Sequence, residues 1–511
     1  MRAQAAASRN PVRAADALVR AGRLRDALEL LDGARAKDPA NADIVLGLAR
    51  VARRLAMPEA AAGCAAAALD LAPDSVEAVV ERVIALRALA QHEEAVEMLR
   101  VRIAARPEQA ELWLALANTV HEQGETEAAE TFLREVLRLN PESAEARANL
   151  ADLLFDRGEI KDALALHAEA VRRAPKNAQM RLNRALALLY AGDLKTGWRD
   201  YEARLEIDDR RIARRFAGKT PARWDGSPRR GRALLVMAEQ GLGDQIFFAS
   251  LLPLLVERDE GPVLMECEPR LVPLFARSFK PAHVHPCRPV SEGGEIHVSY
   301  DWLEKAGGAA LSIELASLPR LLKPALATVP EIYAPLMADA GEAETWRRWL
   351  ASLGPKPKIG ICWRSGKRGG LRDLQYAPLL MWRDFIGHVD AEFVMCQYDE
   401  RAEEIAALET SGRRLAIPPG LDQRSEIDRL AALLSSLDAV VSAPTVVAML
   451  AAAVGTPTIK LTYSGSWTSF GREREPFLPA SHVIRPTCAG DWAEAFQLAR
   501  QALSPVLPRR E

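Results

Sequence analysis

The chain has 511 residues, of which 49% are hydrophobic and 27% charged, and its formal net charge is −2 at pH 7. That length exceeds one hydrophobic core and implies two or three domains. The near-neutral balance excludes a global field that would draw the protein onto nucleic acid or an acidic membrane. No apolar run is long enough to span a bilayer. Met1 to Asn10 is Ala-rich and polar and lacks the apolar centre of a secretory signal, so the chain is expected to be cytoplasmic. The six cysteines show no CxxC spacing and mostly fall in apolar strand-like runs, as small buried hydrophobes do. His283 and His285 alternate in one such run without a third ligand nearby, so no structural metal is expected.

The first 200 or so residues are periodic. Pro39, Pro73, Pro107, Pro141 and Pro175 follow one another at 34-residue intervals. Proline ends one helix and is tolerated in the first turn of the next, so each marks a helix junction. Twelve residues before each stands an alanine: Ala27, Ala61, Ala95, Ala129 and Ala163. A small side chain there lets paired helices approach closely. Gly22, Gly124, Gly158 and Gly192 fall at the turn inside the pair, and Trp113, Leu116 and Ala117 give a first helix its apolar face. These features resemble the tetratricopeptide repeat, about six units from near Asn10 to near Ile207. The last unit departs from the pattern at Gly197-Trp198 and Tyr201, and is expected to dock onto the next domain. A stack of this kind curves and offers a concave face to a protein partner.

From Asp208 to Arg232 the period breaks, and the basic segment reads as a connector anchored by Trp224. Strand and helix signals then alternate. Ala233–Met237, Val263–Glu266, Lys358–Trp363, Glu392–Gln397, Ala439–Ser442 and Thr458–Leu461 read as buried parallel strands, and Gln245 to Glu257 as a helix. That alternation predicts two Rossmann-like halves. The expected layout is solenoid 1–208, linker 209–232, first half 233–345 and second half 346–511.

Gly241-x-Gly243 after a strand invites a dinucleotide reading, and Glu266 stands where a ribose-binding acid would be. The third glycine position, however, is Ile246. No P-loop motif occurs. Glu239-Gln-Gly-Leu-Gly-Asp244 with Pro253 and Glu266-x-x-Pro269 looks instead like bacterial glycosyltransferases of the GT-B fold, related to the heptosyltransferases, that carry N-terminal tetratricopeptide repeats. Leu437–Ser442 through Ala451–Pro457 resembles their second signature, and Trp224–Pro228 and Gly471-Arg472-Glu473 also resemble that group. The layout is similar to O-linked N-acetylglucosamine transferases. Cys287 to Ile332 matches poorly, Ala443-Pro444-Thr445 replaces the usual Asp-Thr, and Met449 replaces a histidine.

The fold class expected is therefore α + α/β, an all-α tetratricopeptide solenoid followed by a GT-B domain. The resemblance implies an enzyme that moves a sugar from a nucleotide-sugar donor to Ser/Thr of a protein held by the repeats. Some members with this layout modify flagellin, for which a CMP-activated nonulosonic acid is a fitting donor. No separate cofactor, metal, nucleic acid or membrane span is expected. Asp244 is the candidate base by resemblance and a favoured helix N-cap by composition, so both roles stay open; Glu239 is a second candidate. Donor contacts are expected from Gly241 and Gly243, from Trp363, Arg364, Ser365 and Lys367 after one strand, from Ser442 and Thr445 after another, and from Arg472. Ser442 and Thr445 are also plain N-cap candidates, and Trp363 a core one. Two other readings stand beside this one: a non-catalytic repeat scaffold with a degenerate transferase domain, and a transferase directed to lipid or polysaccharide.

Overall fold

The computed structural model describes residues 10–207, 213–216, 218–239, 241–258, 260–292, 295–322, 333–366, 369–399 and 402–507. It divides into two compact units. One runs to Leu154 and takes in Lys161–Lys176 and a short stretch ending at Leu374; the other comprises Phe155–Ile160 and the rest of the chain from Asn177.

In the first unit, antiparallel helix pairs follow the sequence period, from Pro11–Arg20 with Leu24–Arg35 onward. Each of the five periodic prolines sits in the two-residue turn that separates one pair from the next. The five periodic alanines are all 0% exposed, which is what a close helix crossing requires. Polar caps start the first helices: Asn41, Ser75 and Asn177 each accept the backbone N–H three residues on. The turn inside each pair needs a left-handed residue. Glycine supplies it at Gly22, Gly124, Gly158 and Gly192, while Ala56 and Ala90 fill the same repeat position with φ of 57° and 60°. Ion pairs join successive first helices, as Arg50–Glu77 (3.0 Å) and Arg87–Glu122 (2.9 and 2.5 Å).

The second unit opens with the last helical pair, Ala178–Tyr190 and Leu194–Tyr201. It then builds two main sheets. The first orders its strands as Ala222–Arg223, Leu311–Glu314, Leu234–Met237, Val263–Cys267 and His283–Pro286, all parallel. The second runs Leu415–Ala416, Glu392–Met395, Lys358–Cys362, Ala439–Ser442, Thr458–Leu461 and Leu478–Ile484 in parallel, with Arg474–Glu475 antiparallel at the edge. Both faces of both sheets are covered. Ile359, Ile361, Phe393 and Val441 enter one core, and their neighbours Cys362, Val394 and Val440 enter the other. Leu235 and Leu264 likewise oppose Leu234, Val236 and Met265. This period-2 division of continuous apolar runs is the mark of a doubly covered parallel sheet.

Three features differ from the sequence reading. The segment treated as a connector supplies the edge strand Ala222–Arg223, and Trp224, 1% exposed, donates its backbone N–H to Ser312 O. The helix expected over Gln245–Glu257 is two helices, Leu242–Ala249 and Leu252–Val256. Pro253 explains the break, since it has no N–H to give Ala249 and its ring crowds that carbonyl. Finally, the poorly matching stretch contains Leu311–Glu314, which inserts beside Leu234–Met237, and Glu295–Ser299, which pairs with Ala213–Arg215 in a small third sheet.

The atypical last repeat docks as expected. The Trp198 ring lies 5.5–6.5 Å from those of Tyr201, Phe248, Trp467, Phe470 and Phe477. Phe248 follows the first sheet's central strand, and the last three follow strands of the second, so this one helix is packed against both. Arg204, 3% exposed, extends the junction through Glu202, Glu239 and Ser317.

Candidate functional site

In open parallel sheets, ligands bind beyond the carboxyl ends of strands where the strand order reverses. In the second sheet that point lies between Lys358–Cys362 and Ala439–Ser442, because the chain leaves Lys358–Cys362 toward one edge and returns on its other side. Two of the segments singled out from the sequence meet there. Cys362 and Ser442 are register partners, and the Cys362 Sγ lies 3.5 Å from Thr445 Oγ1. Burial pushes the Cys362 thiol up to about 11, so it stays protonated. In the first sheet the reversal falls between Leu234–Met237 and Leu311–Glu314, at the turn holding Gly241 and Asp244. A Cβ on Gly243 would stand 3.8 Å from Met449 Cγ and 3.9 Å from Val446 Cα. The starts of helices Leu242–Ala249 and Val446–Ala453 thus face each other across the two sheets.

Helix Val446–Ala453 begins without a side-chain cap among the described residues. The Thr445 hydroxyl instead faces Ser442 Oγ at 3.1 Å, and Ser442 donates to Ala443 O at 2.7 Å. Thr445 therefore holds the N-cap position without a side-chain bond to the first turn, and the first N–H groups of that helix carry their partial positive charge without a side-chain cap. Asp244 is not the N-cap, which is Gly241; it stands in the helix's first turn, where its Oδ2 accepts the Gly241 N–H at 3.2 Å while its side chain stays half-buried.

Other candidates are committed within the protein. Both oxygens of Glu239 accept from Arg204, at 2.6 and 3.1 Å, and Oε1 also accepts Ala316 N–H. That pairing anchors Arg204 and commits both Glu239 oxygens within the protein. Arg364 is 5% exposed and forms a fork on Glu404 (2.6 and 2.7 Å), with a further bond to Asp399 O at 2.9 Å. In this geometry it braces the loop and does not face a phosphate. Trp363 packs in the core, and its indole N–H reaches Glu404 at 3.3 Å. Ser365 accepts from Tyr398 OH at 3.2 Å. Lys367 lies outside the described residues. Arg472 is exposed in the turn after Phe470 and makes no hydrogen bond to this cluster among the described residues.

Sequence reasoning missed Gln397. Its buried Oε1 accepts the N–H groups of Trp363 and Arg364, both at 3.0 Å, and its Nε2 donates to Arg364 O. It fixes the loop after Cys362, and its place at the end of Glu392–Met395 was the available signal. Glu266 is also accounted for: it is 0% exposed and accepts from Ala238 N, Arg214 and Tyr300, so it is not presented to a ribose. Ile246, at the missing third glycine, is in the core. Among the described residues, no group of three or more His, Cys, Asp or Glu is placed to hold a metal ion, and no helix is long and apolar enough to cross a membrane.

Comparison with known proteins identifies the helical region. Residues 12–76 and 80–144 match one tetratricopeptide repeat family model and residues 120–189 another. The N-terminal part is thus a tetratricopeptide-repeat solenoid, a protein-interaction architecture, followed by a region of mixed sheets and helices. The chain is 34% identical over 313 residues, 60% of its length, to protein FlbA of Caulobacter vibrioides, and spans 52% of that relative. Among solved structures, the tetratricopeptide protein TTC0263 of Thermus thermophilus is 28% identical and covers 35% of this chain and 98% of its own, with a TM-score of 0.33. The type IV pilus biogenesis factor PilW is 22% identical and covers 39% and 91%, with a TM-score of 0.32.

Proposed function

We propose that the chain is a glycosyltransferase that moves a sugar from a nucleotide-sugar donor to a hydroxyl of a protein held by its repeats. The observation that carries this reading is the meeting of two strand-order reversals, one bearing Asp244 and the other the uncapped start of Val446–Ala453. The nucleotide's phosphate sits at that helix start, where N–H groups and helix dipole favour an anion. The acceptor oxygen bonds to the anomeric carbon as the bond from that carbon to the phosphate oxygen breaks. Asp244 takes the acceptor's proton, and the nucleotide leaves with the electron pair. Flagellin as acceptor and a CMP-activated nonulosonic acid as donor are the finer form of the proposal, drawn from the sequence resemblance.

A second reading, a repeat scaffold without activity, is favoured by the commitment of Arg364 to Glu404 and of Glu239 to Arg204. Intact-mass measurement separates the two. Flagellin co-expressed with this chain and a CMP-nonulosonate supply should gain mass in single-sugar steps, and Asp244→Ala should abolish the gain while the chain still captures flagellin. No gain with any donor supports the scaffold.

A further inference from the structure

The turn that bears Asp244 is gripped on both sides by the last helical pair. On its strand side stands Glu239, two residues past the end of Leu234–Met237. Glu239 Oε1 accepts from Arg204 Nη2 at 2.6 Å and from the Ala316 N–H at 2.9 Å, and Oε2 accepts from Arg204 Nε at 3.1 Å. Ala316 follows Leu311–Glu314, so one carboxylate ties together the ends of the two strands between which the order reverses. On the helix side stands Phe248, whose ring lies 6.2 Å from that of Trp198 and 6.0 Å from that of Tyr201. Arg204 is itself held on every side. It also donates to Ser317 Oγ at 2.9 Å, Glu202 Oε1 at 3.1 Å and Tyr201 O at 3.2 Å, and its guanidinium lies 4.8 Å from the centre of the Tyr201 ring.

Between strand and helix, Ala238 donates its N–H to Glu266 and Gly241 donates its own to Asp244, so Glu239 is the turn residue whose side chain reaches the last repeat. A guanidinium fork fixes a carboxylate in direction as well as distance, which a point charge does not. We infer that Arg204 is a positioning residue: through Glu239 it sets where Asp244 stands against the start of Val446–Ala453, which makes the last repeat part of the transfer site. A displacement of about 1 Å in such a turn is enough to misplace a reacting group. The consequence for transfer rests on the transferase reading, whereas the grip on the turn stands on the fork and the aromatic contacts.

The test is hydrogen–deuterium exchange of the full chain carrying Arg204→Met together with Glu239→Gln, a change that removes the fork without stranding a buried charge. The glutamine can still accept the Ala316 N–H, and Arg223 stays on Glu202 at 2.6 Å. The amides of residues 241–249 should exchange about tenfold faster, while those of Val446–Ala453 keep the rates of the unaltered chain. Sugar transfer should lose about tenfold or more in kcat with KM for the nucleotide sugar unchanged. Arg204→Lys keeps the charge but offers one point to two oxygens. It should show a smaller rise confined to the same segment, and it carries the test if the double variant does not fold. Unchanged exchange at 241–249 would overturn the inference. So would an equal rise at Val446–Ala453, which marks a general brace, or, in an active chain, an unchanged kcat or a loss confined to KM. Exchange needs neither donor nor acceptor, so a wild-type chain that transfers no sugar defeats the transferase reading and leaves this comparison standing.

Discussion

The two units handle charge in opposite ways. In the solenoid, most ion pairs join neighbouring helices at or near the surface, at differing repeat positions, as Arg50–Glu77 and Arg87–Glu122 do. In the sheet unit each charge pair occurs once and several are sealed. Lys460 and Glu475 are 1% and 0% exposed and bond to each other and to Thr468; Arg204–Glu239 and Arg364–Glu404 brace the two strand-order reversals. A repeated unit depends mainly on its neighbours, so losing one contact costs little. A buried pair is costly to break because the survivor is left charged without water or partner.

That contrast can be broken by mutation. Lys460→Ala should cost the sheet unit about 3–5 kcal/mol, read as a lower urea midpoint, because it leaves Glu475 buried with no charged partner. Its other oxygen already lacks a partner among the described residues. A cost no greater than that of a surface pair would erase the distinction. Ala56→Gly and Ala90→Gly should each raise solenoid stability by about 0.5–1 kcal/mol, since glycine relieves the left-handed strain at a position where four other repeats already use it. Equal or lower stability would show that the alanines are unstrained.

The smallest effect concerns acid. Burial pushes the Glu122 carboxyl up, yet hydrogen bonds and charge from Arg87 and His92 outweigh it and hold the group below its ordinary value. The stabilisation is therefore complete above the unfolded-state value of about 4.3 and is lost as pH falls through the lower folded-state value. Arg87→Ala should remove that increment at neutral pH and make the acid-side decline shallower. Unchanged acid unfolding would show the pair to be worth nothing.

Legibility in the sequence followed the range of the interactions. The proline and alanine ladders could be read because a period exposes local geometry directly. The main parallel strands could be read because a strand buried on both faces must be a continuous apolar run. What escaped was non-local: Leu311–Glu314 finds its partner strand across more than 70 residues, and the linker becomes an edge strand only once it arrives. The same holds for the site. Ser442, Thr445, Gly243 and Asp244 were placed by their position after strands. By contrast, the pairing of Arg364 with Glu404 and of Glu239 with Arg204 spans 40 and 35 residues that carry no spacing signal. Asp244 was ambiguous between N-cap and base; Gly241 takes the N-cap place, and Asp244 bonds back to its N–H from the first turn, which leaves the second role open.

The central claim is that a nucleotide's phosphate sits at the start of Val446–Ala453, and removing one N–H there tests it most directly. Val446→Pro suits the first helical position, and Thr445 already has the extended backbone (φ −127°, ψ 173°) that a following proline demands. Calorimetric titration of the full chain with nucleoside mono- and diphosphates should show saturable binding of one of them, weakened about tenfold or more by Val446→Pro at unchanged thermal stability. Binding that is absent for every nucleotide, or indifferent to the proline, would contradict the account.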